Sequence, residues 1–131
     1  MKPQDNNKNN TEHLKLGQIG EDLVTEFLST TQHEILERNW RTGKAEIDII
    51  AKTTNEVLLF VEVKTRSSDF FGPGSLTINK KKKQLLLDAA VVFANMNNHQ
   101  GDIRFDVANV TINEKEEVIL EYLPDAFFDA F

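Results

Sequence analysis

Apolar residues along this chain repeat first at a helical period, then at a strand period, and the two alternate to the end. Leu16, Ile19, Leu23, Val24, Phe27 and Leu28 fall at helical spacing, which predicts an amphipathic helix from near Thr11, a candidate N-cap, to Gln32. Gly17 and Gly20 lie inside it at about 1 kcal/mol each relative to Ala, a penalty tolerated where a helix must approach another backbone closely. Residues 1–11 are polar, rich in Asn and without period, and read as a disordered tail. Three strand-like segments follow, 33–38, 45–52 and 55–65. The second alternates, with Glu46, Asp48 and Ile50 assigned to one face and Ile47, Ile49 and Ala51 to the other. The short Thr53-Thr54-Asn55 join predicts that the second and third segments pair as an antiparallel hairpin. After a loop containing Gly72, Pro73 and Gly74, helical spacing returns over 77–97 with Leu85, Leu86, Ala89, Val92, Phe93 and Met96 on the apolar stripe. Segments 103–112 and 118–123 read as two further strands, and the aromatics of the closing DAFFDAF are expected to dock on the body. The order α-β-β-β-α-β-β predicts an α/β fold, helices flanking a central mixed sheet.

At 131 residues and 14.9 kDa the chain is expected to form one domain over 12–131, without internal repeats. Its 40% hydrophobic and 27% charged residues are those of a globular protein. The longest apolar runs, 57–61 and 89–94, are far short of the ~18 residues that suggest a membrane span. The polar start lacks the apolar core of a secretory signal, and zero cysteines exclude disulfides, thiolate zinc sites and a cysteine nucleophile. A cytoplasmic protein is expected. The net charge of −6 is uneven: 62–83 carries Lys64, Arg66 and Lys80 to Lys83 against Glu62 and Asp69, whereas 112–131 is strongly acidic. Screening beyond ~8 Å lets a polyanion meet the local field of the basic segment, so acidity overall does not exclude a nucleic-acid partner.

Several chemistries are absent from the sequence. It has no GxxxxGK[ST] loop, GxGxxG turn, GxSxG elbow or HExxH, so no organic cofactor is expected, and His13, His33 and His99 have no ligand spacing. The unusual feature is LLFVEVK, a strand apolar enough to be buried yet interrupted by Glu62 and Lys64, which share one face. Unpaired burial of such charges costs several kcal/mol, so they must be paired, set in a cleft, or bound to something. A tight hairpin about Thr54 would bring Asp48 near Glu62, and a divalent cation relieves two close carboxylates. Magnesium suits: it takes one or two carboxylates and keeps water and phosphate oxygens for the rest. Taken alone, so short a triple is more often a plain Glu–Lys ion pair in the sheet than a metal site.

Asp48, Glu62-Val63-Lys64 on the next strand, a glutamate in the preceding helix and the αβββαβ order together resemble the PD-(D/E)XK nuclease superfamily, restriction-endonuclease-like and similar to its Holliday-junction-resolvase branch. The strings LGQIGEDLVTEFL, ILERNWR, AEIDIIAK, FVEVKTRSS, FG, the lysine run before LLLDAA, RFDV and the final DAF resemble, in order, the YraN family of small bacterial proteins. The resemblance implies Mg²⁺ or Mn²⁺ held by Asp48, Glu62, the Val63 carbonyl and Glu21, with Lys64 activating water or stabilising the transition state. Ile47 stands where the superfamily's proline would be and Ala45 where this family usually has Gly; neither change touches a ligand. A homodimer follows by analogy with resolvase-like relatives.

Outside that set, Glu46 is expected to pair with Arg41 or Arg104, and Arg104 with Asp106 in a supporting role. Lys80, Lys81 and Lys82 at a helix start oppose the helix dipole, which suggests that they serve a phosphate backbone, together with Arg66 and Arg41. The function expected is a metal-dependent DNA endonuclease, with branched or damaged DNA among its candidate substrates. The alternative is a catalytically inactive nucleic-acid-binding or partner-binding module on the same fold.

Overall fold

A computed structural model describes residues 4–67 and 80–126, with side chains from Lys15 onward. The Gly72–Gly74 loop, the expected helix start at Thr77 and the aromatics from Phe127 on lie outside the described residues. The elements are α1 (Gln4–Thr30), β1 (Glu34–Thr42), β2 (Ala45–Lys52), β3 (Leu58–Ser67), α2 (Lys80–Met96), β4 (Ile103–Ile112) and β5 (Val118–Leu123). The five strands form one sheet in the order β1-β2-β3-β4-β5. β3 and β4 pair in parallel and the other neighbours antiparallel. A parallel pair needs a crossover, and α2 lies within the one joining β3 to β4. The expected order and α/β class hold, and the arrangement is a restriction-endonuclease-like core. Among the described residues no helix is long and apolar enough to cross a membrane.

Each helix covers one side of the sheet. Val24 and Leu28 of α1 pack with Ile49, Ala51, Leu59, Val61, Ala108 and Val110. On the other side Leu86, Ala89, Ala90 and Phe93 of α2 pack with Ile47, Ile50, Leu58, Phe60, Phe105 and Val107. Burial on both sides accounts for the nearly continuous apolar run of β3. Trp40 closes the second layer edge-on to Phe93, with ring centres 5.2 Å apart.

Some boundaries differ from the sequence reading. α1 starts at Gln4, taking in residues assigned to the polar tail, because nothing between Pro3 and Gly17 breaks a helix. It stops at Thr30: Gln32 adopts a left-handed φ of 66° and the His33 amide returns to the Leu28 carbonyl at 3.0 Å. β1 runs on past Arg38 to Thr42, and Gly43, at φ 57°, turns the chain into β2. The hairpin about Thr54 forms, closed by Thr53 N–H to Val57 O at 2.9 Å and Val57 N–H to Thr53 Oγ1 at 3.0 Å.

The assignment of Ile47 to one face with Ile49 and Ala51 is corrected. Ile47 belongs to the α2 layer, whereas Ile49 and Ala51 belong to the α1 layer. β1 changes faces at the same level: Arg38 reaches α1 acids and Trp40 packs on α2. Between them Asn39 has φ 51°, opposite Asp48 in the strand register. A left-handed residue inside a strand breaks the two-residue period. Strict alternation therefore fails beside Asp48, where the two strands are re-aimed.

Candidate metal centre at the opening between β2 and β3

Main-chain pairing of β2 with β3 runs from Lys52↔Leu58 to Ile49↔Val61. The next residues along each strand are Asp48 and Glu62. Here the Val63 amide donates to Asp48 Oδ2 at 2.8 Å, so a side chain accepts a bond that a ladder carbonyl would otherwise receive. The two carboxylates predicted to meet are therefore on adjoining strands at the point where the ladder ends. Glu62 lies on the α2 side of β3, its side chain only 14% exposed, above an apolar pocket that includes Ile47, Phe60, Leu86 and Phe105.

Burial dominates the electrostatics. Asp48 is pushed up to about 8, first by burial and next by the Glu62 charge, with the Val63 hydrogen bond pulling the other way. Glu62 is raised by burial, opposed by the cationic Lys82 and then Lys64. Burial lowers Lys64, while Glu62 restrains that fall. Glu21, from α1, adds repulsion to both carboxylates.

Glu21 reaches this neighbourhood because α1 touches β3 closely. A Cβ on Gly20 would lie 1.7 Å from Thr65 Oγ1, so only glycine fits there. A Cβ on Gly17 would meet nothing within 4 Å, so the close approach expected of both glycines belongs to Gly20 alone. The Glu21 carboxylate is also 3.7 Å from Arg38, whose guanidinium hydrogen-bonds Asp22 at 2.8 Å. Among the described residues no three His, Asp or Glu side chains converge closely enough to hold a metal ion. The acidic centre is thus the Asp48–Glu62 pair, with Glu21 nearby and partly engaged by Arg38.

Lys64 shares the Glu62 face, and Arg66 lies two residues farther along the same strand. Lys80 and Lys81 are exposed at the start of α2. Lys82 departs from its expected place in a run facing only substrate: its Nζ is 3.5 Å from Glu62 Oε1, inside the site. Arg41 is 75% exposed but paired with Glu46 at 3.1 Å, which selects Arg41 over Arg104 as that glutamate's partner.

Arg104 instead holds Asp106 through Nε and Nη2 at 2.9 and 3.0 Å. Asp106 is fully buried and also accepts from Tyr122 Oη at 2.5 Å and the Asp125 amide at 2.8 Å. It ties β4, β5 and the following turn together, a structural role. Sequence reasoning missed Arg38, Tyr122 and the Lys82–Glu62 contact. The only available signal was a basic residue in ILERNWR and a polar aromatic in VILEYL, neither with a readable partner.

A restriction-endonuclease-like core with paired acids and a lysine on adjoining central strands defines the class. The sequence matches Uncharacterised protein family UPF0102 over residues 20–110, and the chain belongs to that family. It is 45% identical to the UPF0102 protein of Flavobacterium psychrophilum, covering 89% of this chain and 97% of that one. The UPF0102 protein of Thermodesulfovibrio yellowstonii is 41% identical over 88% of this chain and 97% of its own. Among solved structures, SfsA of Pyrococcus furiosus in complex with Ca²⁺ aligns at TM-score 0.37 and 10% identity, over 86% of this chain and 63% of that chain.

Proposed function

We propose that this protein is a metal-dependent endonuclease that hydrolyses phosphodiester bonds in DNA, with branched or damaged DNA as candidate substrates. The observation that carries this reading is the placement of Asp48 and Glu62, two half-buried carboxylates whose burial raises the proton affinity of both and whose Glu62 charge raises that of Asp48 further, beside Lys64. Such a pair is unfavourable alone and suits a hard cation with oxygen ligands. Asp48 and Glu62 would hold Mg²⁺ or Mn²⁺, with the Val63 carbonyl and Glu21 as further ligands. The cation would supply Lewis acidity and lower the pKa of water. Lys64, with its ammonium proton loosened by burial, would orient the attacking water and exchange a proton at Nζ. Water adds to phosphorus as the bond to the 3′-oxygen breaks, and that oxygen leaves with a proton. Arg66, Lys80 and Lys81 would hold the strand through its phosphates, with Arg41 contributing once Glu46 is outcompeted. A chain without cysteine suits the reducing cytoplasm.

Purified protein with Mg²⁺ or Mn²⁺ is expected to cleave at least one of duplex, single-stranded, flap and four-way-junction DNA. Glu62→Ala and Lys64→Ala should each abolish it; cleavage surviving both substitutions rejects the assigned site. Sedimentation at micromolar concentration, with and without junction DNA, tests the proposed homodimer. The engagement of Glu21 by Arg38 and Glu62 by Lys82 favours a second reading, a nucleic-acid-binding module without turnover. That reading predicts salt-dependent DNA binding with no metal-dependent rise in melting temperature.

A further inference from the structure

We propose that Lys82 is a resident counter-ion of Glu62, displaced when a divalent cation binds, and that its release couples metal binding to capture of a DNA phosphate. The inference deepens the nuclease reading and rests on it. Lys82 Nζ lies 3.5 Å from Glu62 Oε1, and the two side chains differ in environment, 53% against 14% exposed. One partner is fixed in a central strand; the other sits on a flexible stem at the mouth of the site. Of the two lysines acting on Glu62, Lys82 does more than Lys64 to hold the carboxylate ionised.

The local helix offers no reason for the charge. The first turn of α2 holds four lysines and no acid, an arrangement that opposes the helix dipole. Contact with Glu62 gives Lys82 a favourable interaction that helix energetics do not. A divalent cation on Glu62 would repel the ammonium, which can swing outward because it is half in solvent. A phosphate approaching that cation would meet Lys82 on the same side as Lys64. Metal and DNA would then each strengthen binding of the other, as thermodynamic linkage requires.

The test compares wild type, Lys82→Met, Lys82→Arg and Lys80→Met. Lys80 is an exposed lysine of the same helical turn and reports the general effect of removing one charge. Mn²⁺ affinity without DNA is measured by electron paramagnetic resonance. Binding to a fluorescent four-way junction is measured by anisotropy with and without Ca²⁺. Lys82→Met should bind Mn²⁺ roughly two- to fivefold more tightly than Lys80→Met, the scale of a partly exposed ion pair. Lys82→Arg should return to the wild-type value. The tightening of junction binding by Ca²⁺ should be roughly two- to fivefold smaller in Lys82→Met than in Lys80→Met or wild type. Mn²⁺ affinity equal to that of Lys80→Met, or unchanged Ca²⁺ coupling, overturns the proposal while leaving the metal site intact. Wild type that binds no Mn²⁺ overturns both the proposal and the nuclease reading.

Discussion

Asp48 is held at a cost to the fold. Its pKa in the folded chain, about 8, lies above the ordinary 3.8, so the folded state binds more protons between those values and stability falls as pH rises through them. Below about pH 4 both states keep the proton and the penalty vanishes. In the presence of a chelator, Asp48→Asn should therefore stabilise the protein by about 1–3 kcal/mol at alkaline pH and by little near the acid limit, since Asn can still accept from Val63. Urea denaturation across pH reads the difference, and a variant less stable than wild type at alkaline pH refutes it. An amide at position 106 should act in the other direction on stability, because the Asp106 carboxylate accepts from Arg104, Tyr122 and the Asp125 amide. Asp106→Asn turns an amide toward donors and should lose about 2–5 kcal/mol. Mn²⁺ affinity should stay unchanged, since Asp106 lies on the α1 side of β4 whereas Glu62 faces α2.

The approach of α1 to β3 rests on Gly20, and two substitutions in one helix should have opposite signs. Gly17→Ala enters open space and should stabilise α1 by up to about 1 kcal/mol through helix propensity. Gly20→Ala must displace Thr65 or lift the helix, and should destabilise by about 1–3 kcal/mol. Paired thermal melts check both, with shifts of about 2–8 °C per kcal/mol. Lifting α1 also moves Glu21, so Gly20→Ala should weaken Mn²⁺ binding whereas Gly17→Ala should not. Equal melting shifts for the two variants would mean that the contact does not position the helix.

Charge is divided across the molecule. The lysines and Arg66 lie where β3 and α2 approach the site, whereas Glu114, Glu116 and Glu117 are exposed in the β4–β5 turn. A phosphate backbone would be drawn to the first region and repelled by the second. Lys80 and Lys81 are exposed at the helix start, and Lys82 is already engaged by Glu62. Replacing Lys80 and Lys81 with Gln should flatten the slope of log affinity against log salt on duplex DNA by up to ~1.8, with little change among sequences. Adding Lys82→Gln should alter metal binding as well, because that lysine contacts a carboxylate of the site. An unchanged salt slope in the double variant would direct the DNA path to Arg66 and Arg41.

The sequence by itself determined the order of elements and the sharing of a face by Glu62 and Lys64, because both follow from periods of two and 3.6 residues that neighbours along the chain impose. It also brought Asp48 toward Glu62, since a short turn at Thr54 fixes the level at which β2 and β3 meet. Tertiary structure decided where that local logic breaks. Asn39 in a left-handed conformation re-aims the strand pair, so Ile47 and Ile49 serve opposite layers despite their spacing. Gly17 and Gly20 look alike in the helix, and only the sheet beneath distinguishes them. Lys82 meets Glu62, and Tyr122 meets Asp106, across distances in the chain that no local period spans. Such contacts depend on strand register and on the crossing of helix over sheet, which many weak interactions fix together.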